Sequence, residues 1–447
     1  MKRHKLLGYY VPAFFKMHID TKSEDMIINK MPIEDATVLF HEYIHFLQDI
    51  TSYYGLNRIY AYSEYIHKMI NEIYKMPQGD FQIPMTLLHS NDNVKLNNDL
   101  IRLTEGDVAD KTTISINGIN ILEDNLEKNQ YLQTIPSVML EFSDNDIATF
   151  GAGAISESMA YLLERLCSPS GYKESPEYPY MAAEKVASFY DEDFAKDKLK
   201  ILALCDMSLM SSNPGTCFVR VMNGIQKKEL SFASPEAIYD YFYAKKTVKA
   251  TGEETTLINA FITLQNTVVQ CLKSYLTIDE INTQYYQWID FVMKFAIDWR
   301  KNDMYFLLKM ARHNDLLTNN CFGYSISQIG TPLMSNNSQG SYFKIPIKGG
   351  GMDVEYFNAI YQIEALLSKG KVDCDMYDWC CNSPSSTPND LCKTSPWLKI
   401  SEKALCPYAF LWKHWNLSKH NPVKKIIHKD KNSDKRSALQ SLIEFLA

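Results

Sequence analysis

The stretch "TVLFHEYIHFLQD", residues 37–49, carries two histidines four positions apart, with a glutamate directly after the first. On a helix, His41 and His45 point the same way, one turn apart, so two neutral imidazole nitrogens can reach one Zn²⁺. Glu42 lies about 100° further round the helix, beside the metal rather than on it. There it can take a proton from a water whose pKa the metal lowers. The spacing therefore predicts two zinc ligands and a general base.

The alternative for this stretch is a core helix that carries two histidines without any metal. Two imidazoles on one buried helix face are hard to satisfy with hydrogen bonds alone. We therefore favour the metal interpretation for His41 and His45.

The flanking residues extend the pattern, which resembles the zincin metallopeptidases. In that superfamily the two residues between the glutamate and the second histidine are uncharged, as Tyr43 and Ile44 are here. Val38 and Leu47 also match the residue types common at their positions. The resemblance implies an α+β fold, in which a zincin-like catalytic domain has a small sheet beside the active-site helix. It also implies the activity of a zinc-dependent endopeptidase.

Catalytic zinc usually takes a third protein ligand and keeps one position open. No histidine follows at the short metzincin spacing, so we expect an acidic ligand on a later helix, which resembles the gluzincin branch. Glu157 lies in "GAISESMAYLLERL", where apolar neighbours would make an unpaired carboxylate costly. Small residues at 151–154 would let this helix approach another closely. We predict Glu157 as the third ligand.

Glu64 is the alternative third ligand. It lies nineteen residues after His45, a spacing similar to that of thermolysin-like relatives, but without their neighbouring pattern. Asp49 or Gln48 is a candidate to orient a ligand histidine through a hydrogen bond. A donor to the oxyanion of the reaction is expected, but the 28 tyrosines offer too many choices for the sequence to select one.

Helical and strand patterns place these residues on elements. Pro32, with acidic residues behind it, predicts a helix start, and Gly55 predicts its stop. A second helix is predicted over about 57–74. The alternating segment 112–121 contains Asn117-Gly118 and predicts a hairpin or an edge strand that could hold an extended substrate.

Composition and element patterns predict a chain of more than one domain. We expect a metallopeptidase domain over 1–235 with an insertion at about 76–146. A helical domain over 236–345 and a cysteine-rich C-terminal region with a basic tail over 346–447 would follow.

Charge and cysteine usage limit the function classes. The 447 residues carry a net charge of −7, which gives no overall attraction to nucleic acid or acidic membranes, and no run of about 18 apolar residues suggests a membrane span. The start of the chain does not match a secretory signal. Ten cysteines without such a signal favour reduced thiols and a cytoplasmic location.

Half of the cysteines crowd into one segment of 33 residues, namely Cys374, Cys380, Cys381, Cys392 and Cys406. Four thiolates can bind a structural zinc ion or an iron–sulfur cluster. The spacings lack the paired Cys-x-x-Cys of zinc fingers, so buried reduced cysteines in a compact region remain the competing interpretation.

The function predicted from these residues is that of a cytoplasmic zinc metallopeptidase acting on a protein or peptide substrate. His41, His45 and Glu157 would hold Zn²⁺, and Glu42 would be the general base. Two alternatives stay open: a non-catalytic, zinc-stabilised binding or regulatory protein, and a zinc hydrolase of a non-peptide bond. The substrate and the oligomeric state are not encoded in any recognisable pattern.

Overall fold

The structure is a computed structural model that describes residues 7–21, 26–85, 93–128, 131–244, 248–250, 253–276, 283–337, 341–342, 354–382, 386–402 and 405–425. Its helices are α1 (Ile33–Thr51), α2 (Tyr53–Lys75), α3 (Asn93–Glu105), α4 (Ala152–Cys167), α5 (Glu177–Tyr180), α6 (Ala182–Tyr190), α7 (Glu192–Lys196), α8 (Lys198–Leu209), α9 (Pro214–Gln226), α10 (Pro235–Ala244), α11 (Leu257–Lys273), α12 (Thr283–Asn302), α13 (Phe306–Ala311), α14 (Asn320–Ile329), α15 (Val354–Lys369), α16 (Tyr377–Asn382), α17 (Leu391–Thr394) and α18 (Pro407–His414). Its strands are β1 (Gly8–Val11), β2 (Lys16–Ile19), β3 (Gly79–Ile83), β4 (Ile116–Lys128), β5 (Tyr131–Phe142), β6 (Ile147–Thr149), β7 (Val248–Ala250), β8 (Glu253–Thr255), β9 (Leu333–Asn336), β10 (Ser341–Tyr342) and β11 (His420–Lys424). Helices predominate beside small sheets, which confirms the predicted α+β class.

The chain divides into two compact units. The first unit comprises Met1–Tyr65 and Asn91–Val354, and the second comprises Ile66–Ser90 and Glu355–Ala447. The region 236–345, for which a separate helical domain was predicted, lies inside the first unit. The cysteine-rich region falls in the second unit, together with residues from the far end of α2.

The helix α1 is the centre of the first unit. It packs against β1 and β2, against α4 and against α12. Fourteen of its nineteen residues are buried, and these include polar residues such as Glu42, Gln48 and Asp49. A helix buried around most of its circumference needs a partner for each polar side chain it carries. The buried polar residues of α1 are therefore candidates for a functional site.

The junction between α1 and α2 differs from the prediction. The predicted stop at Gly55 is wrong, because α1 ends at Thr51 and Gly55 lies inside α2. Ser52 separates the helices, and its hydroxyl accepts a hydrogen bond from the backbone N–H of Gly55 (2.9 Å). A Cβ at position 55 would lie 2.5 Å from the Cα of Asp49. Glycine is needed there for the close approach of two helices, not for helix termination.

The sheet beside α1 has four strands in the order β1-β2-β9-β10. β1 and β2 are antiparallel, β2 and β9 are parallel, and β9 and β10 are antiparallel. β1 is an edge of this sheet among the described strands. A Cβ on Gly8 would come within 3.1 Å of the Cγ of Glu42, so the start of β1 lies directly against Glu42 of α1.

The segment 112–121 forms part of a different sheet. β4 pairs with β5 over its whole length, and β6 completes a three-stranded antiparallel sheet in which β4 is an edge. Asn117-Gly118 does not form a turn, because the pairing is irregular between Ile116 and Gly118 and the strand continues. Of the two predicted alternatives, the edge strand is confirmed, whereas Asn117-Gly118 does not form a hairpin turn.

The second unit contains one two-stranded parallel sheet, β3 with β11, and the helices α15 to α18. The predicted basic tail lies outside the described residues from position 426 onward. None of the helices in the described ranges is both long and apolar enough to cross a membrane.

Candidate metal centre

Three predicted ligand atoms meet between α1 and α4. The Nε2 atoms of His41 and His45 are 3.2 Å apart, and Glu157 Oε2 lies 3.2 Å from the first and 3.5 Å from the second. Ligands bound tetrahedrally to Zn²⁺ at 2.0–2.1 Å would lie about 3.3 Å apart. The triangle formed by His41 Nε2, His45 Nε2 and Glu157 Oε2 therefore has the size that a single zinc ion requires. In the described part of the chain, no other set of three His, Cys, Asp or Glu ligand atoms lies so close together.

The outer nitrogens of both imidazoles are held by other side chains. His41 Nδ1–H donates to Glu164 Oε2 (2.9 Å), and His45 Nδ1–H donates to Gln48 Oε1 (2.8 Å). The amide of Gln48 is itself oriented, because its Nε2 donates to the carbonyl oxygen of Ser156 (3.0 Å). An ionised carboxylate and an amide oxygen only accept hydrogen bonds, so each Nδ1 carries a proton.

This assignment leaves three lone pairs facing one another. A neutral imidazole with a proton on Nδ1 has none on Nε2. His41 and His45 therefore direct two bare nitrogen lone pairs at each other and at the carboxylate of Glu157. Such an arrangement is repulsive unless a positive charge, either a proton on an imidazole or a metal cation, lies between the three atoms. Both imidazoles are close to fully buried, so water does not screen the repulsion well.

The electrostatics of the three residues also favour a positive charge. Burial opposes protonation, but hydrogen bonds to Glu157 and Glu164 raise the pKa of His41 well above its ordinary value. The pKa of His45 is raised too, by Glu157 against the effect of burial. Burial raises the pKa of Glu157, but His41 and His45 lower it by more, so that it lies below its ordinary range. The three residues thus stabilise positive charge between them, which protonated imidazoles or a divalent cation would supply.

Glu42 points to one side of the three ligand atoms. Its side chain is only 6% exposed. Burial raises the pKa of Glu42 to about 7, although the neighbouring His41 and His45 lower it. A carboxyl with a pKa near neutrality is suited to accept a proton and to return it. No hydrogen bond ties Glu42 to a described residue, so its oxygens stay available to a water or a substrate.

A small cavity of about 60 Å³ opens beside these residues. Its lining residues are His41, Glu42, Leu7, Gly8, Glu34, Val38, Glu164, Gly171, Lys173, Ser175 and Tyr180. The ring of Tyr180 lies 6.0 Å from the ring of His41, centre to centre. Burial, with a contribution from Glu157, raises the pKa of Tyr180, so its hydroxyl stays protonated and can donate a hydrogen bond.

The structure separates the two candidates for the third ligand. Glu157 belongs to the triangle, whereas Glu64 on α2 accepts a hydrogen bond from the thiol of Cys271 (3.8 Å) and is not part of it.

Of the two candidates for orienting a histidine, Gln48 accepts a hydrogen bond from His45. Asp49 instead pairs with Arg58 (2.6 Å) and accepts from the hydroxyl of Tyr10 (2.9 Å).

The small residues before Glu157 act differently from the prediction. A Cβ on Gly151 would lie 2.4 Å from the carbonyl oxygen of Glu105, and one on Gly153 would lie 2.6 Å from Val108. These residues let the start of α4 approach the end of α3, not α1. The gap between α1 and α4 is bridged by polar side chains, such as the hydroxyl pair of Thr37 and Ser168 (2.6 Å).

Two residues of the site escaped sequence reasoning. Glu164 follows Glu157 by seven residues, which is close to two helical turns, so both carboxylates lie on one face of α4. That spacing was a usable signal for Glu164. Tyr180 comes from α5, after a loop, and nothing in the sequence distinguishes it from the other tyrosines.

No family model, no curated protein and no solved structure matches this chain.

Proposed function

We propose that this protein is a zinc-dependent metallopeptidase of zincin-like architecture. The single observation that carries the proposal is the triangle of His41 Nε2, His45 Nε2 and Glu157 Oε2, with edges of 3.2, 3.2 and 3.5 Å. These three residues would hold Zn²⁺, with the tautomers set by Glu164 and Gln48. The small sheet beside α1 supports the zincin-like interpretation.

A bound zinc ion would polarise the carbonyl of a peptide bond and make a water nucleophilic near neutral pH. Glu42 would take the proton of the attacking water and pass it to the leaving amine. The Tyr180 hydroxyl is the donor best placed to hydrogen-bond the developing oxyanion, because it lines the same cavity as His41 and Glu42.

The edge strand β1 is the natural place for an extended substrate. It lies against Glu42 through Gly8, whereas β4 contributes none of the residues that line the cavity. A peptide that adds to the edge of β1 would pair its backbone groups with those of the strand. This replaces β4 by β1 as the proposed docking strand.

The proposed location is the cytoplasm. None of the ten cysteines, all of which lie in the described ranges, forms a disulfide. Thiols that stay reduced are typical of that compartment.

Elemental analysis and one isosteric variant test the proposal. Purified full-length protein should contain one zinc ion per protein chain, and the His45→Ala variant should contain none. Glu42→Gln should keep the zinc but lower the rate of cleavage by about 10²–10⁴-fold. The measurement is a search for new peptide N-termini after the protein is incubated with a cell lysate. A zinc-free preparation that still cleaves, or equal cleavage by Glu42→Gln, would contradict the proposal.

A further inference from the structure

A second group of potential ligands lies in the second unit. Four cysteines, Cys374, Cys380, Cys392 and Cys406, line one cavity of about 200 Å³. They come from the loop after α15, from α16, from α17 and from the residue before α18. The backbone N–H of Cys374 donates to the carbonyl oxygen of Cys392 (2.9 Å), which joins two of these segments. The fifth cysteine, Cys381, is exposed and does not line the cavity.

Burial raises the pKa of Cys374 to about 12 and also raises the pKa of Cys406, and backbone hydrogen bonds to the two sulfurs offset only part of this effect. The N–H of Met376 donates to the sulfur of Cys374, and the N–H groups of Tyr408 and Ala409 donate to that of Cys406. Amide donors directed at a thiolate are typical of cysteines that bind metal, where they neutralise part of the charge. The buried ammonium of Lys399 lines the same cavity and adds positive charge near Cys406.

The cavity also contains polar groups that lack a partner. Asn358 is 1% exposed and Tyr408 is 4% exposed. Within the described residues, neither the side-chain amide of Asn358 nor the hydroxyl of Tyr408 forms a hydrogen bond. Buried polar groups left unpaired cost free energy, so their presence in one cavity fits a site that takes a polar ligand.

The four sulfurs do not form the compact group that a single tetrahedral zinc ion requires. Four thiolates on one zinc ion, each at about 2.3 Å, would lie about 3.8 Å apart. No three of the four sulfurs lie mutually within 4.8 Å in the part of the chain that is described. An iron–sulfur cluster distributes its cysteine ligands over several iron atoms and fills a cavity between them. The wider spacing and the cavity of about 200 Å³ between the sulfurs fit a cluster better than one ion.

We infer that Cys374, Cys380, Cys392 and Cys406 bind an iron–sulfur cluster in the second unit. The cluster would fill the cavity, and its sulfides would accept hydrogen bonds from Asn358 and Tyr408. This inference does not depend on the metallopeptidase proposal, because the two sites share no residue.

Anaerobic purification of the full-length chain tests the inference. If the chain arrives empty, it is reconstituted with ferrous iron and sulfide. We expect iron and acid-labile sulfide in equal amounts, together with the broad visible absorption of a cluster. Cys380→Ser should lose all three signals, and the neighbouring Cys381→Ser is the matched control that should keep them. The zinc content at His41 and His45 should be the same in both variants.

Three results would overturn the inference. The first is wild-type protein without iron and sulfide after reconstitution, and the second is zinc bound by these four cysteines. The third is equal loss of iron in the variants at positions 380 and 381. If Cys380→Ser does not fold, as judged by circular dichroism, Cys374→Ser and Cys406→Ser take its place, and the wild-type iron and sulfide content remains decisive.

Discussion

At the scale of single residues, the centre is defined as much by the partners of the ligands as by the ligands. Glu164 and Gln48 each accept a hydrogen bond from an imidazole Nδ1–H and so turn the Nε2 lone pairs of His41 and His45 inward. Without these two partners either histidine could adopt the other tautomer and bond elsewhere. The protein thus prepares the site before any cation arrives.

Glu164→Gln should therefore weaken zinc binding without removing a ligand. A neutral amide can still accept the hydrogen bond, but it no longer enhances the basicity of His41. We expect the zinc affinity to fall by about 10–100-fold, measured by competition with a chelator. Glu174→Gln, which alters an exposed glutamate on the loop after α4, is the control. Equal affinities in both variants would show that Glu164 has no role in orienting His41.

Glu42 should make the zinc-free protein less stable at higher pH. Its pKa is about 7 in the folded protein and near 4.5 when unfolded, so folding favours the protonated carboxyl. The penalty is absent at low pH, grows as the pH rises above 4.5 and is complete above about 7. After chelation, Glu42→Gln should be more stable than the wild type at about pH 8, by about 1–3 kcal/mol. Urea denaturation at several pH values measures this gain, which should vanish in acid.

At the scale of elements, the site depends on how closely β1 and α4 approach α1. Gly8 leaves just enough space for β1 to lie against the side chains of Val38 and Glu42. On the other side of α1, polar bridges such as Gln48 to Ser156 fix the position of α4. The proposed ligands and general base therefore come from two helices, and the edge strand β1 lies on the side proposed for the substrate.

Gly8→Ala should disturb catalysis while sparing the metal. The new Cβ would lie 2.8 Å from Val38 and 3.1 Å from Glu42, so β1 or Glu42 must shift. We expect cleavage to fall about tenfold or more, since small displacements of catalytic groups are costly, with an unchanged zinc content. Gly323→Ala is the matched control, because a Cβ at that position on α14 meets nothing within 4 Å. Full activity of Gly8→Ala would argue against close contact between β1 and Glu42.

At the scale of the whole molecule, the two units divide the chemistry. The first unit holds the His-His-Glu centre, and the second holds the cysteine-lined cavity.

A buried ion pair stabilises the first unit around the end of α1. Arg300 donates two hydrogen bonds to the carboxylate of Asp206 (2.7 and 2.8 Å) and one to the carbonyl oxygen of Thr51 (2.5 Å).

Arg300→Met should destabilise the first unit strongly. It would leave the carboxylate of Asp206 buried without its counter-charge, which costs about 3–5 kcal/mol. Arg312→Met breaks the exposed pair with Glu236 and should cost less than about 1 kcal/mol. Denaturation by urea measures both values. If the two variants were equally stable, the buried pair would not be a main support of α1.

The sequence by itself determined the local chemistry of the candidate centre. The spacing of His41, Glu42 and His45 on a periodic apolar pattern predicts their common helix, since helical geometry fixes which residues share a face. The apolar surroundings of Glu157 indicate that its carboxylate needs a partner. The α+β class also follows from local patterns. All of these inferences depend on residues close together in the chain.

Only the tertiary structure decided which distant residues meet. The choice of Glu157 over Glu64, the position of Tyr180 and the role of β1 depend on packing between elements far apart in sequence. The same holds for Gly55, whose place in α2 follows from the close contact with Asp49. Likewise, the irregular spacing of the five clustered cysteines did not predict that four of them line one cavity. The physical reason is that side-chain patterns encode which face of an element is buried, whereas the partner of that face is set by the packing of the whole chain.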